Sequence, residues 1–296
     1  MNGVLVIDKP AGPTSHDVVA RARRALGTRR IGHTGTLDPL ATGVLPLVIG
    51  NATRLASLLG GEKEYVAGIR LGLATETYDA FGRKAVPPAP SGITIDDIER
   101  GLESFRGTFD QLPPLYSAKK IDGVRAYKLA RNRKPVQPTS ARVTVHRLEI
   151  ESFEDGLVVV RVTAAAGFYV RSLAHDLGQN LGCGGHLESL RRVRAGAFTE
   201  QESVTLTELE RDGADLTQWV VPVERLLPEI PAVVLADAQR DRALHGADVR
   251  DDESPPRPVV AGADPALRRL FDAGGRLLGV AEVRPGGLLH PVIVLV

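Results

Sequence analysis

The sequence predicts an α+β fold closed by a small β-rich unit. Three observations carry that expectation. Residues 143 to 164 read as two strands joined at Asp155-Gly156, a strong hairpin turn signal. Separate stretches carry apolar residues at helical spacing: Val18, Val19, Ala22, Ala25 and Leu26 in one, Ile95, Ile98, Leu102 and Phe105 in another. Pro222, Pro228 and Pro231 then mark a boundary near residue 228, beyond which short strands turn at Gly274-Gly275 and Gly286-Gly287.

In chain order, GVLVIDKPAG reads as a short strand ending in a turn at Pro10 and Gly12. A helix follows, with Ser15 as its expected N-cap and Gly27 as its stop. Residues 31 to 50 hold Gly32, Gly35, Gly43 and Gly50 with Pro39 and Pro46, so they read as a structured loop leading into a short buried segment, Val44 to Ile49. Tyr65, Ala67, Ile69 and Leu71 alternate as a strand does. Pro87, Pro88 and Pro90 mark a loop, and Thr94 with Asp97 then resembles a capping box. The stretch 119 to 134 reads as a hairpin or short helix on an excursion from the body. AAAGFYVR precedes a helix with Leu173, Leu177 and Leu181 at i, i+4 and i+8, ending near Gly182. Beyond residue 228 come a strand at Val233 to Leu235, a helix up to Gly246, a Pro-rich loop around 255 to 258, and the two turning strands.

Composition bounds the function classes. With 43% hydrophobic and 25% charged residues over 296, the chain has room for a large core and two domains, and is neither disordered nor fibrous. The first apolar run, Val4 to Ile7, is cut off by Asp8, Lys9 and Pro10, too short for a signal peptide, and no later stretch is long enough to span a bilayer. The single Cys183 rules out an internal disulfide. A cytoplasmic protein is expected.

Net charge is only +1, but its distribution is uneven. From Lys119 to Arg147 there are nine basic residues, Lys119 and Arg142 among them, against one acid, Asp122. Arg21, Arg23, Arg24, Arg29 and Arg30 form a second run, and Arg191, Arg192 and Arg194 a third. Segregation of this kind suits a polyphosphate-binding face on a neutral protein, though solvated helix faces give the same pattern.

The segment Gly32-His33-Thr34-Gly35-Thr36-Leu37-Asp38-Pro39-Leu40-Ala41-Thr42-Gly43 presents one His and one Asp on a glycine-rich loop. Pro39 forces Asp38 into an extended conformation. Loops fixed by Gly and Pro commonly hold functional groups, yet a turn-forming Asp before proline is the commoner reading on generic grounds. His175, His186 and Cys183 lack four well-spaced ligands, so core or helix-terminus roles are expected rather than a metal site.

This segment resembles the catalytic-aspartate motif of the TruB family of tRNA pseudouridine synthases. Four further stretches match that family in order: GVLVIDKPAGPTSHDVV, KEYVAGIRLGLATETYDAFG, PPLYSAKKIDGVRAYKLAR and GFYVRSLAHDLGQNLGCGGH. The resemblance implies a mixed, mostly antiparallel central sheet with flanking helices in a catalytic domain at 1–228, a basic thumb-like insertion at about 110–146, and a PUA-like RNA-binding domain at 229–296. It implies Asp38 as the nucleophilic aspartate, Tyr65 stacking on the target base and serving C5 proton transfer, and Arg171 pairing with the aspartate. Tyr169 aligns with a nearby active-site tyrosine, Leu190 with an apolar residue against the base, and His33 with a histidine packed where the base leaves its loop. Lys9 lies in the entry motif that supports the site. Lys119 and Arg142 belong to the basic stretch expected to grip the tRNA backbone. Phe168 departs from the small Ser or Thr usual before the arginine. If residues 168 to 171 form a strand, Phe168 shares a face with Val170 and points to the core, away from Tyr169 and Arg171.

The implied reaction isomerises uridine 55 of the tRNA T-loop. It breaks N1–C1′, turns the uracil and joins C5 to C1′. No redox change or net hydrolysis occurs, so no cofactor and no metal is expected. One carboxylate serves any of three routes: addition to C6, addition to C1′, or removal of the 2′ proton. The partner expected is tRNA, with no membrane and no obligatory protein partner, and the chain is expected to be a monomer. Two other readings remain open at this stage: a tRNA-folding chaperone, and the catalytic subunit of a guide-RNA-dependent synthase.

Overall fold

β1 (Gly3–Lys9) is apolar along nearly its whole length and almost wholly buried, as expected of a strand covered on both faces. In the computed structural model, which describes residues 1–85, 92–116, 120–121, 124–125, 139–211, 215–250 and 266–295, it lies inside a large mixed sheet. α1 (Ser15–Ala25) follows. Its N-cap is Thr14 rather than Ser15: Thr14 Oγ1 accepts from the Asp17 N–H, and the Asp17 carboxylate accepts from the Thr14 N–H. Ser15 is buried instead and holds the loop described below.

β2 (Ile31–His33) and β3 (Thr42–Ile49) flank the glycine-rich loop, and β4 (Lys63–Leu71) carries the alternating segment. The short pair β5 (Ala74–Thr75) and β6 (Lys84–Ala85) precedes α2 (Ile95–Leu102), whose Thr94–Asp97 capping box forms as the sequence suggests. β7 (Gly107–Gln111) leads toward the basic stretch. There, two-residue strands β8 (Lys120–Ile121) and β9 (Val124–Arg125) pair antiparallel. Lys119 and residues 126–138 of that stretch lie outside the described residues.

β10 (Ala141–Glu154) and β11 (Leu157–Ala164) form the expected hairpin. Its turn residues Asp155 and Gly156 both have positive φ, 47° and 73°, the conformation a two-residue hairpin requires. α3 (Val170–Asn180) and β12 (Gly185–Ala195) follow, then β13 (Phe198–Thr199), β14 (Val204–Thr205), α4 (Leu206–Leu209) and β15 (Val220–Pro222).

The main sheet runs β14-β1-β3-β12-β4-β11-β10-β7, with β2, β13 and β15 on side pairings. Only β1–β14 and β3–β12 are parallel, so the α+β class and the mostly antiparallel sheet are both found. A second sheet, β16-β18-β19-β20-β17, is built from β16 (Ala232–Leu235), β17 (Val249–Arg250), β18 (Leu267–Asp272), β19 (Leu277–Arg284) and β20 (Leu288–Val294), with α5 (Asp237–Leu244) against it.

Period-two alternation divides the core. Leu5, Ile7, Leu45, Leu47 and Ile49 face a cluster that takes in Val18, Val19 and Ala22 of α1, Ile98 and Leu102 of α2, and Leu173 and Leu177 of α3. Val4, Val6, Val44 and Val48 face the other way. They pack in one cluster with Val223, Leu226, Leu227 and Ile230, and with Leu277, Val280 and Leu295 of the second sheet. β1 and β3 are therefore shared walls of two cores.

α3 crosses β12 at very close range. A Cβ on Gly178 would stand 2.1 Å from the Gly185 nitrogen, nearer than any non-bonded pair tolerates. Gly178→Ala is expected to push α3 off the sheet and destabilise the fold by about 1–3 kcal/mol. Urea denaturation measures it; an unchanged midpoint would contradict the close approach.

Candidate active site

A glycine-rich loop has few side chains to pack, so its shape must come from hydrogen bonds to its main chain. Between β2 and β3 each donor is identifiable. The Ser15 hydroxyl accepts from the Leu37 N–H at 2.8 Å, and lies 3.0 Å from the Leu37 carbonyl as donor. The Lys9 ammonium donates to the carbonyls of Ala41 at 2.7 Å, Pro10 at 2.9 Å and Pro39 at 3.4 Å. Gly12 N–H donates to the Pro39 carbonyl, and Ala41 N–H closes a turn onto the Asp38 carbonyl at 3.0 Å. Arg192 reaches the loop from β12, giving Nε to the Val44 carbonyl at 2.7 Å and Nη2 to the Gly35 carbonyl at 3.2 Å. Gly43 is obligatory here: its φ is +96°, and a Cβ would meet the Arg192 carbonyl oxygen at 2.2 Å.

The Asp-Pro turn and the functional reading of Asp38 are thus compatible. Its carbonyl makes the turn while its carboxylate points at α3. Arg171 Nε stands 2.8 Å from Oδ2, and Nη2 donates to Oδ1 at 3.2 Å. The two partners differ in exposure: the Arg171 side chain is 5% exposed, the Asp38 side chain 35%. The carboxylate is therefore reachable while the guanidinium that orients it is not. Arg171 is held in turn by the carbonyls of Thr77 at 3.1 Å and Tyr116 at 3.0 Å, with Asp79 Oδ2 at 3.8 Å.

Asp38, Tyr65, Tyr169, Arg171 and Leu190 all line one cleft of about 410 Å³, within the usual range for a small-molecule site. Lys63, Phe168 and Arg192 complete its wall. Tyr65 is nearly buried, and burial pushes its hydroxyl pKa up while Arg192 beside it pulls the other way. Burial likewise lowers the pKa of Lys63 and, with Asp38 opposing, takes Lys9 down to about 8.

Two expectations need correction. Residues 169 to 171 are not a strand. Tyr169 is the N-cap of α3, so Arg171 sits on the helix's first turn. Phe168 is buried in the core cluster as expected, yet it also lines the cleft, because a helix start does not segregate neighbours as a strand does. His33 is half-buried on β2 opposite Leu47, one residue before the cleft lining begins at Thr34.

Arg142 is exposed on β10 and forms a two-point ion pair with Asp110, Nε to Oδ1 at 3.0 Å and Nη2 to Oδ2 at 3.2 Å. Arg147 is paired with Glu149, Arg191 with Asp8 and Glu200, and Arg194 with Glu64. Several charges that read as a basic face along the sequence are thus met by acids from elsewhere in the chain. His186 bonds through Nδ1 to the Leu73 carbonyl at 2.8 Å, and His175 stacks on Tyr78 at 3.8 Å.

Gln111 was not singled out from the sequence. Its buried amide accepts from the Tyr169 N–H at 2.8 Å and donates to the Tyr169 carbonyl at 3.0 Å. Both bonds clamp the residue that starts α3. A lone Gln at a strand end carries no sequence signal of that kind, nor does Arg192 inside a run of arginines.

Comparison with known proteins identifies a family. The family described as TruB family pseudouridylate synthase (N terminal domain) matches residues 23–170, and the tRNA pseudouridylate synthase B C-terminal domain matches 171–228. A protein named tRNA pseudouridine synthase B from Solibacter usitatus (strain Ellin6076) is 41% identical over 298 residues, covering 100% of both chains. One of the same name from Pseudomonas aeruginosa (strain UCBPP-PA14) is 40% identical, over 98% of this chain and 95% of its own. A solved chain from a Cbf5-Nop10-Gar1 complex is 28% identical with a TM-score of 0.72, covering 99% of this chain and 85% of that one. A chain from an H/ACA RNP bound to a substrate RNA containing 2'-deoxyuridine gives 27% and 0.72, with the same coverage.

Lys9 gives a pH test of the loop. Its folded pKa of about 8 lies below the unfolded 10.5. Between those values the unfolded chain holds the extra proton, so this site makes stability rise with pH across the window. Denaturation of the wild type and of Lys9→Met from pH 7 to pH 10.5 should show the wild type gaining on the variant as pH rises. A difference that stays constant or narrows would refute the lowered pKa.

Proposed function

The chain belongs to the TruB family of pseudouridylate synthases, and on that premise we propose that it converts uridine 55 of the tRNA T-loop to pseudouridine with Asp38 as the reacting carboxylate. The observation that carries the reading is the Asp38–Arg171 pair, a partly exposed acid held by a buried guanidinium in a cleft that Tyr65, Tyr169 and Leu190 also line.

Each group has a task in that reaction. Asp38 meets the sugar–base junction, aimed by a two-point contact with Arg171 that a lysine could not reproduce. Tyr65 stacks on the extruded base and takes the C5 proton. Leu190 and Phe168 exclude water, keeping detached uracil captive until C5 faces C1′. Extruding the nucleotide costs a few kcal/mol, and stacking on an aromatic ring offsets about 1–3 kcal/mol of it. His33, beside the cleft lining, packs where the base leaves the loop. Lys9 acts through the loop it ties down. One carboxylate suffices on any of the three routes, and nothing in the reaction demands a metal or cofactor.

The RNA grip falls to the insertion at about 110–146, with Lys119 and Arg142 contacting phosphate, and to residues 229–296 as a PUA-like domain. Arg142 exchanges Asp110 for phosphate when RNA binds, which makes that contact weaker than an unpaired arginine's. The protein acts as a soluble cytoplasmic monomer, and its binding of the T-loop assists tRNA folding as a secondary effect. The guide-RNA reading is the less favoured, because the 41%-identical relative aligned end to end is named for tRNA.

Asp38→Asn should abolish isomerisation, by at least about 10²–10⁴-fold, with tRNA affinity little changed. Mass mapping of pseudouridine in a treated tRNA transcript, with no other protein added, checks both the reaction and the residue. Ordinary turnover by this variant would reject Asp38. Gln111→Ala should lower kcat, by up to about 10²-fold as the start of α3 shifts, while Kd for tRNA holds. A loss confined to Kd would show that the clamp serves binding rather than alignment.

A further inference from the structure

One buried cation in the cleft wall takes no part in the chemistry assigned to Asp38. Arg192 is 1% exposed. Among the described residues no carboxylate is paired with it, whereas its neighbours Arg191 and Arg194 both have acids. Its hydrogen bonds to the main chain go to neutral carbonyls, Val44 and Gly35. Those bonds explain a donor that straps both ends of the Asp38 loop. They do not explain a full positive charge, because burying a guanidinium without an anion is expensive and an amide would strap as well.

The third neighbour is Tyr65. The register of β12 against β4 sets Arg192 directly opposite Tyr65, so the two side chains share a face as a cross-strand pair. Both side chains also line the cleft, where the positive charge of Arg192 opposes the burial that pushes the Tyr65 hydroxyl pKa up. The charged and titratable groups around that hydroxyl are Arg192 on β12, Asp38 on the loop, Lys63 on β4, Lys9 on β1, and Tyr169 with Arg171 at the start of α3.

We propose that Arg192 is a positioning residue that holds the Tyr65 oxygen in place and stabilises it as the base that removes the C5 proton. The inference rests on the uridine isomerisation proposed above and deepens it. Once C5 is joined to C1′, the C5–H bond breaks and its electron pair forms the C5–C6 double bond. The C6–N1 π pair moves onto N1, which takes a proton from water. The C5 proton goes to the Tyr65 phenolate oxygen, which returns it to solvent. Arg192 touches neither the base nor the sugar in this step. Its charge favours the phenolate that must be present before the proton is taken, against the burial that disfavours it.

The test is single-turnover conversion of a tRNA transcript made with ordinary or C5-deuterated uridine. The wild type is compared with Arg192→Met, Arg192→Lys, Tyr65→Phe and the Arg192→Met/Tyr65→Phe double variant, all checked for folding by circular dichroism. Arg192→Met is expected to slow conversion, by about 10²-fold, and to raise the deuterium isotope effect above the wild-type value. Arg192→Lys, which keeps the charge, should restore part of the rate and lower the isotope effect again. In the double variant the two losses should not multiply. An isotope effect unchanged from wild type in Arg192→Met, or multiplying losses, would overturn the proposal and leave Arg192 a strap for the loop. If the Met variant does not fold, the Lys variant decides: an isotope effect equal to wild type with a slowed rate overturns it as well. Absence of pseudouridine from the wild-type reaction would instead overturn the underlying isomerase reading.

Discussion

A guanidinium buried to 5% exposure needs acceptors, and Arg171 gives its Nη1 and Nη2 to acceptors on three separate pieces of chain, with Nε beside Asp38 Oδ2. Asp38 comes from the loop between β2 and β3, Thr77 from the turn after β5, and Tyr116 from the segment after β7. Satisfying one side chain therefore brings three distant parts of the fold to one point. The same requirement makes the site rigid, since shifting any one piece leaves a buried donor unpaired at about 1–3 kcal/mol. The start of α3 is fixed to match. Gln111 closes on both main-chain groups of Tyr169, and the Ser172 hydroxyl donates to the Leu112 carbonyl at 2.7 Å.

That arrangement joins the Asp38–Arg171 pair to the start of the insertion proposed to hold RNA. Gln111, Leu112 and Tyr116 lie at the N-terminal end of that insertion. Short polar contacts tie these residues to the first turn of α3, where Arg171 sits. The wall on the other side is independent of this route. β1 and β3 place Lys9 and the loop, and they are held by two apolar clusters, one of which includes residues of the second sheet. The two halves of the Asp38–Arg171 pair are thus supported by different parts of the core.

Local signals were legible in the sequence, and long-range ones were not. The Asp155-Gly156 hairpin, the Thr94–Asp97 box and the glycine stops at Gly27 and Gly182 each depend on a few adjacent residues, and each is found. The cap of α1 was misplaced by one position because Thr14 and Ser15 are both good caps, and the choice turned on Asp17 three residues after Thr14. Asp38, Tyr65, Tyr169, Arg171 and Leu190, each named from the family resemblance, line one cleft. The donors that shape the loop had no comparable signal. Lys9 acts 30 residues away on Pro39, and Ser15 acts 22 residues away on Leu37. Such pairings exist only once β1, α1 and the loop are packed together. Charge was misleading for the same reason: a run of arginines shows their sequence neighbours, not the acids that the sheet brings beside them.

The electrostatic character of the cleft follows from that pairing. Acids neutralise Arg70, Arg142, Arg147, Arg161, Arg191 and Arg194 near the surface, and among the described residues no acid pairs with Lys63 or Arg192. With Lys9 and Arg171 these put four cations around Asp38, so a reaction field of positive sign surrounds a single reachable carboxylate. A field of that sign costs nothing to reorganise and favours the negative charge that the proposed reaction would develop there. It also explains why burial does not simply silence the basic groups. Lys9 keeps three carbonyl acceptors and Arg192 keeps two, so each remains hydrogen-bonded while its charge is left to act on the cleft. The loop carbonyls that consume those bonds are the ones that hold Asp38 in its turn. One set of contacts therefore shapes the loop and charges the pocket.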